Sequence, residues 1–301
     1  MFYRWRSRRN KSRFNKLTAG ILDTPRLEIK DAPWSIISMV SNADAQMYIL
    51  AIKSFYARIR RGKVIAIVDR DMPSEARRVL EHHLPGVQFA VLEDIDTGAC
   101  QRGGTWERIL YLLDHSKDEY AIQIDADTLS FGKDLDEVVR CVENNIPFTL
   151  GNAGRPIEQM SGIVADALAM KTDYVGIAAE RLFDKYPGAD QLKYVRASSG
   201  FAGFARGGFS KENIEVFHRE MEKLLGVRWK EWGTEQNASN FAIANSPGAT
   251  VLPYPKYANF WPGLRRGNSS FLHFIGTSRY LDDYYATLAQ GVIRELSEKN
   301  V

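Results

Sequence analysis

The sequence predicts an α/β protein: a mostly parallel sheet flanked by helices, giving way to a less regular C-terminal half. Three observations predict it. From Pro33 onward, apolar runs of strand length alternate with segments of helical period on short connections, the pattern of a parallel sheet covered on both faces. Polar residues gather where those runs end, and ligands of such sheets bind outside the carboxyl ends of the strands. The 301 residues, 45% hydrophobic and 26% charged, are enough for a large core and mark an ordinary globular chain.

The elements follow in order. "WSIISMVSN" (34–42) reads as a buried strand with a polar exit at Ser41 and Asn42. "DAQMYILAIKSFYARIR" has apolar residues at helical spacing, with Asp44 as its N-cap. "KVIAIVD" (63–69) is a second strand ending at Asp69, and "PSEARRVLEHHLPG" a helix with Pro at its start and Pro-Gly past its end. "VQFAVLED" (87–94) is a third strand, "TWERILYLLDHS" a helix and "YAIQID" a fourth strand. Beyond these, "DLDEVVRCVENN" (134–145) reads as a helix and "IPFTLGN" as a strand, and 154–197 as a mixed, helix-leaning stretch. "SSGFAGFARGGF" is extended, "KENIEVFHREMEKLLG" (211–226) an amphipathic helix, and "TEQNASNFAIAN" a short helix opened by Thr234. "ATVLPYPKYANF" and "FLHFIG" supply late strands.

Charge is unevenly placed. Residues 1–16 hold seven basic residues and no acid, and the remainder has 33 basic against 37 acidic residues. Such a body does not suit nucleic acid, and no nucleic-acid partner is expected. The expected organisation is a flexible basic, aromatic tail over 1–30 and a single domain over 31–301. With Phe2, Tyr3, Trp5 and Phe14 among its cations, the tail suits an anionic membrane surface. No apolar run reaches membrane-spanning length and no secretory signal opens the chain. The two cysteines, Cys100 and Cys141, form neither a disulfide framework nor a zinc pattern. The expected location is cytoplasmic, peripheral on a membrane's cytoplasmic face.

The chemistry concentrates in "YAIQIDADTLSFG" (120–132), where Asp125 and Asp127 flank Ala126 at a strand exit. In extended backbone, residues i and i+2 point to the same side, so both carboxylates converge on one ion. Hard oxygen ligands favour Mg²⁺ or Mn²⁺, and diphosphate oxygens would complete the coordination.

Strand, helix, strand, helix, strand, helix, strand and Asp-x-Asp is the order of nucleotide-diphospho-sugar transferases with the GT-A fold. The chain most resembles glycosyltransferase family 8, the retaining transferases related to glycogenin and the bacterial lipopolysaccharide galactosyltransferases. The resemblance rests on "SNADAQMYILAIKSF", with Ala51 to Ser54 in register, on Trp106 to Tyr111 ahead of Asp125, on Glu235 to Asn240, and on His273 to Tyr280. It runs in order across 34–280. Arg279 stands where the family has Lys, the family's closing Pro-Trp is missing, and Ser198-Ser199-Gly200 stands for its Asn-Ala-Gly.

The resemblance implies His273 as third metal ligand beside Asp125 and Asp127, Gly276 as a close backbone approach to the diphosphate, and Arg279 as a phosphate contact. Ser41, Asn42 and Asp69 are candidates for the base and ribose, and Arg102, Arg108, Asp125, Ser199 and Gly200 for the rest of the donor. Catalytic candidates are Gln236, whose amide would face the anomeric carbon under retention, and Glu235, the base an inverting enzyme would require. Of Trp229, Trp232, Tyr254, Tyr257, Phe260 and Trp261, one or two are expected to stack on a sugar. The expected function is transfer of a hexose from a UDP-sugar to a hydroxyl of a carbohydrate or glycolipid acceptor, with Mn²⁺ or Mg²⁺. The rivals are a sugar nucleotidyltransferase on the same fold and a non-catalytic membrane-docking scaffold.

Overall fold

The computed structural model describes residues 2–151 and 153–298. In chain order the elements are α1 (Phe2–Leu17), β1 (Trp34–Met39), α2 (Ala45–Ile59), β2 (Lys63–Val68), α3 (Ser74–His83), β3 (Gln88–Val91), α4 (Trp106–His115), β4 (Tyr120–Ile124), β5 (Thr128–Ser130) and α5 (Asp136–Glu143). There follow β6 (Phe148–Gly151), β7 (Glu158–Gln159), α6 (Ile163–Ala169), α7 (Val175–Glu180), β8 (Lys193–Tyr194), β9 (Ala197–Phe204), α8 (Lys211–Leu225), α9 (Thr234–Ala244), β10 (Thr250–Val251), β11 (Tyr257–Asn259), β12 (Phe271–His273) and α10 (Tyr284–Glu298). Seven strands form one mostly parallel sheet in the order β10-β6-β9-β4-β1-β2-β3. The α/β class read from the alternation is therefore the observed one.

The chain divides into two compact units. One is built from Met1–Val91, Ile124–Asp136 and Pro255–Val301, the other from Leu92–Gln123 and Glu137–Tyr254. The units interleave in sequence, so no composition break marks them.

In the first unit, β1 pairs parallel with β2 and β2 with β3. Every residue of β1 but Met39 is buried, which explains its unbroken apolar run. A small sheet holds β12 between β11, parallel to it, and β5, antiparallel. Between β4 and β5 the chain turns at residues 126–127, and Asp125 and Asp127 lie outside both strands. The two aspartates were expected to converge by strand alternation; they meet instead across a turn, after which β5 pairs with β12. The three-residue β5 and the helix α10 were not foreseen.

The segment expected as a tail carries a helix. Residues 2–17 are helical, and from Phe14 the helix is docked: Phe14 is buried, its ring 4.4 Å from Tyr285 and 5.6 Å from Tyr280. Lys11 donates to Asp44 at 2.6 Å, Arg13 bonds both oxygens of Asp283, and Gln46 donates to the Asn15 carbonyl at 2.8 Å. Asp44 stands at the N-cap of α2 but makes no capping hydrogen bond through its side chain.

In the second unit, β6 pairs antiparallel with β9 and parallel with β10. Helix α8 is capped by Ser210, which accepts from the Asn213 amide, and ends at Gly226 in the left-handed region. The stretch 154–197 carries α6, α7 and the short antiparallel pair β7–β8. Trp229, Tyr257 and Phe260 are core residues, whereas Trp232, Tyr254 and Trp261 are exposed.

Candidate functional site

The first unit gathers Asp125, Asp127 and His273. One ligand atom from each lies within 4.8 Å of the others. His273 Nε2 stands 3.2 Å from Asp127 Oδ1 and 3.6 Å from Asp125 Oδ2. Strand pairing sets this geometry. His273 is opposite Thr128 in the β12–β5 ladder, and the Phe274 amide donates to the Asp127 carbonyl at 2.8 Å. At the turn, the Thr128 hydroxyl donates to the Asp125 carbonyl at 2.9 Å.

The register of β11 with β12 also puts Asn259 beside His273, where its Oδ1 lies 3.0 Å from His273 Nδ1. An amide oxygen only accepts, so Nδ1 carries the proton. Nε2 then faces the two carboxylates. A buried imidazole fixed through its far nitrogen and two oxygen donors is a set that fits Mn²⁺ or Mg²⁺. Asn259 escaped the sequence reading; its only signal was its place at the end of the "YAN" strand.

Arg279 completes the cluster, with Nη2 on Asp127 Oδ2 and Nε donating to the Phe274 carbonyl at 2.9 Å. Asp127 thus turns one oxygen to His273 and the other to the guanidinium. Burial alone would raise the Asp127 carboxyl, but the charge and hydrogen bond of His273, with the charge of Arg279, hold it below the usual range. For Arg279 burial disfavours the charge, yet Asp127, Tyr280 and Asp44 together outweigh it and tighten the proton. Gly276, three residues earlier, has φ +57 and open space where a Cβ would stand. Ser41 and Asn42 lie exposed past β1, with the Ser41 hydroxyl on Asp44 at 2.5 Å, and Asp69 follows β2.

The second unit gathers Arg108, Ser199 and Glu235 into a buried cluster. Arg108 Nη2 reaches Glu235 at 3.1 and 3.2 Å and Ser199 Oγ at 3.2 Å. Glu235 Oε2 also accepts from Ser199 Oγ at 3.3 Å and Thr105 Oγ1 at 3.1 Å. Arg108 therefore does not form a surface pair with Glu107, whose carboxylate accepts from the Gly103 amide at 2.8 Å. Gln123 donates to the Ser199 carbonyl, and Gly200 follows within β9. Arg102 stands apart, bonded to the Ile95 carbonyl at 2.9 Å. Thr234 opens α9, with Gly233 at φ +107 before it as the N-cap, and its hydroxyl accepts from Trp106 Nε1 at 3.1 Å. Gln236 is half-buried on the first turn.

No family model matches the chain, and no curated protein matches it in sequence. Solved structures do match in shape. The apo structure of WbbM, a bifunctional glycosyltransferase, aligns at 15% identity and TM-score 0.52 over 86% of this chain and 51% of that one. An active-site mutant of LgtC, a galactosyltransferase, aligns at 13% identity and TM-score 0.50 over 85% of this chain and 95% of that one. The chain has the GT-A glycosyltransferase fold. It spans about half the length of the WbbM structure. Among the described residues, no helix is long and apolar enough to cross a membrane.

Proposed function

We propose that the protein is a metal-dependent glycosyltransferase that moves a hexose from a UDP-sugar to an acceptor hydroxyl with retention. One observation carries the reading: two carboxylates and an imidazole converge, and Asn259 holds the imidazole through Nδ1 with Nε2 facing them. Asp125, Asp127 and His273 would hold Mn²⁺ or Mg²⁺. When bound, the ion supplies Lewis-acid charge to the leaving diphosphate.

The remaining assignments concern the chain's own groups. Ser41, Asn42 and Asp69, at or beyond the ends of parallel strands, take the base and ribose. Gly276 lets the backbone approach the diphosphate, and Arg279 donates to it. Arg102, Ser199 and Gly200 complete the donor contacts. Arg108 is assigned to holding Glu235 and Ser199. Glu235, with Arg108, Ser199 and Thr105 on its carboxylate, is poorly disposed to act as a base, which favours retention. Gln236 then faces the anomeric centre, and the leaving phosphate takes the acceptor's proton. The acceptor is a carbohydrate or glycolipid. The basic helix α1 is assigned to an anionic membrane surface, placing the protein peripherally on the cytoplasmic face.

The test is thermal stabilisation by UDP, GDP, CDP and UDP-sugars with and without Mn²⁺, on the wild type, Asp127→Ala and Asp125→Asn. A UDP response that needs metal and disappears in both variants is expected. An equal response without metal would overturn the proposal.

A further inference from the structure

The loop carrying Arg279 is conformationally costly. Asp282 and Asp283 sit consecutively in the left-handed region, at φ +50 and +53, where each non-glycine residue costs on the order of 1 kcal/mol. Such a pair persists only where its surroundings over-determine it. Arg265 Nη2 holds Asp282 at 2.6 Å. Asp283 is held from α1: Arg13 Nε lies 2.9 Å from both carboxylate oxygens, and Nη2 lies 2.5 Å from Oδ2. One residue further along α1, Phe14 packs on Tyr280, next to Arg279, and on Tyr285, just past Asp283. The helix therefore grips the loop on both sides of its strained pair, and the only long cation in that loop, among the described side chains, is Arg279 on Asp127.

We propose that α1 is a positioning element for the donor diphosphate, with Arg13 and Phe14 fixing the loop that presents Arg279. This rests on the reading of Arg279 as a phosphate contact. Arg13 acts through the loop and touches no substrate. Its exposed guanidinium, with 64% of the side chain accessible, would add little to stability as an ordinary surface ion pair. Its contribution lies in where the loop points. Without it, Asp283 is released to the right-handed region, the chain direction changes at that residue, and Arg279 loses its fixed approach. The triad is held by strand pairing and keeps its place.

The experiment measures UDP affinity in the presence of Mn²⁺, Mn²⁺ affinity alone, and thermal midpoint, for the full-length wild type, Arg13→Ala, Arg13→Lys, Phe14→Leu and Lys16→Ala as a neighbouring exposed control. Arg13→Ala should weaken UDP binding about tenfold, or about 1.4 kcal/mol. Mn²⁺ affinity should stay within about twofold, and the midpoint within about 2 °C, the effect of roughly 0.5–1 kcal/mol. Arg13→Lys should recover part of the loss, since a lysine keeps the charge without the fork. Lys16→Ala should match the wild type. Faster amide exchange confined to residues 276–285 in Arg13→Ala would support the same cause. Unchanged UDP affinity in Arg13→Ala and Phe14→Leu, with a wild type that binds, would overturn this inference alone. A wild type that binds no UDP with Mn²⁺ would overturn the donor reading and this inference with it.

Discussion

The buried Arg108–Glu235 pair tests whether Glu235 is a base or a fixed part of the frame. Its side chains are 7% and 3% accessible, so both charges are desolvated and each depends on the other. Removing one partner of such a pair leaves a buried charge without its counter-charge and costs about 3–5 kcal/mol. At roughly 2–4 °C per kcal/mol for a unit of this size, Glu235→Ala and Arg108→Met should each lower the thermal midpoint by about 6–20 °C. The double replacement should recover much of that, because it removes both charges, and the cycle should show coupling of about 2 kcal/mol or more.

Glu235→Gln separates the two roles. It keeps the shape and the hydrogen-bonding oxygen but removes the charge that faces Arg108. If Glu235 belongs to the frame, the midpoint falls and metal-dependent release of UDP from a UDP-sugar declines only in step with the folded fraction. Differential scanning fluorimetry and a coupled UDP assay on the same samples read both quantities. A Glu235→Gln protein with the wild-type midpoint and activity reduced by about 10²–10⁴-fold, the usual yield of general-base catalysis, would refute the reasoning and revive an inverting mechanism.

Further outcomes follow from the same geometry. Asn259→Ala should weaken Mn²⁺ binding by about 10–100-fold by titration calorimetry, since the partner that fixes His273 Nε2 toward the aspartates is gone. Asp127→Asn should lower stability as well as metal affinity, because Asp127 is buried between His273 and Arg279, whereas Asp125→Asn, at a side chain 25% accessible, should lose metal affinity with a stability change within about 1 kcal/mol. Lys53 is buried on the Thr24 hydroxyl, the Pro25 carbonyl and His83 Nδ1, and burial lowers its pKa to about 8 from 10.5. Because the folded value is the lower one, the unfolded chain binds more protons between those values, and stability rises with pH across that window. The contribution, on the order of 3 kcal/mol, should appear as a rise in the stability of the wild type relative to Lys53→Met when urea unfolding of both is followed from pH 8 to 10.5, the buried tyrosines and cysteines being common to the two proteins.

What could be read from the chain divides by the range of the forces involved. The strands β1 to β4 and the helices between them are local patterns of burial, so period alone exposed them. Asp125 and Asp127 were legible as a pair because carboxylates at a strand exit are unusual, but their approach through a turn was not, since that turn exists to pair β5 with β12, over a hundred residues away. His273 lay in an apolar strand that looked like core, and only the resemblance marked it. Helix α1 was the least legible element. Its composition is that of a solvated leader, and what orders it is distant: Asp44, Asp283 and two tyrosines. The Arg108–Glu235 pair was missed for a related reason, because a sequence shows Glu107 beside Arg108 and hides the partner across the fold.

On the proposed reading, the charge balance of the triad bears on how it would receive a diphosphate. Two carboxylates against the Arg279 guanidinium leave one negative charge while His273 is neutral, which would repel a nucleotide. A divalent cation with neutral His273 leaves one positive charge, at the place where Gly276 opens the backbone, and only that state draws a diphosphate. Donor binding should therefore require metal first, and a UDP affinity independent of Mn²⁺ concentration would break the argument at its root.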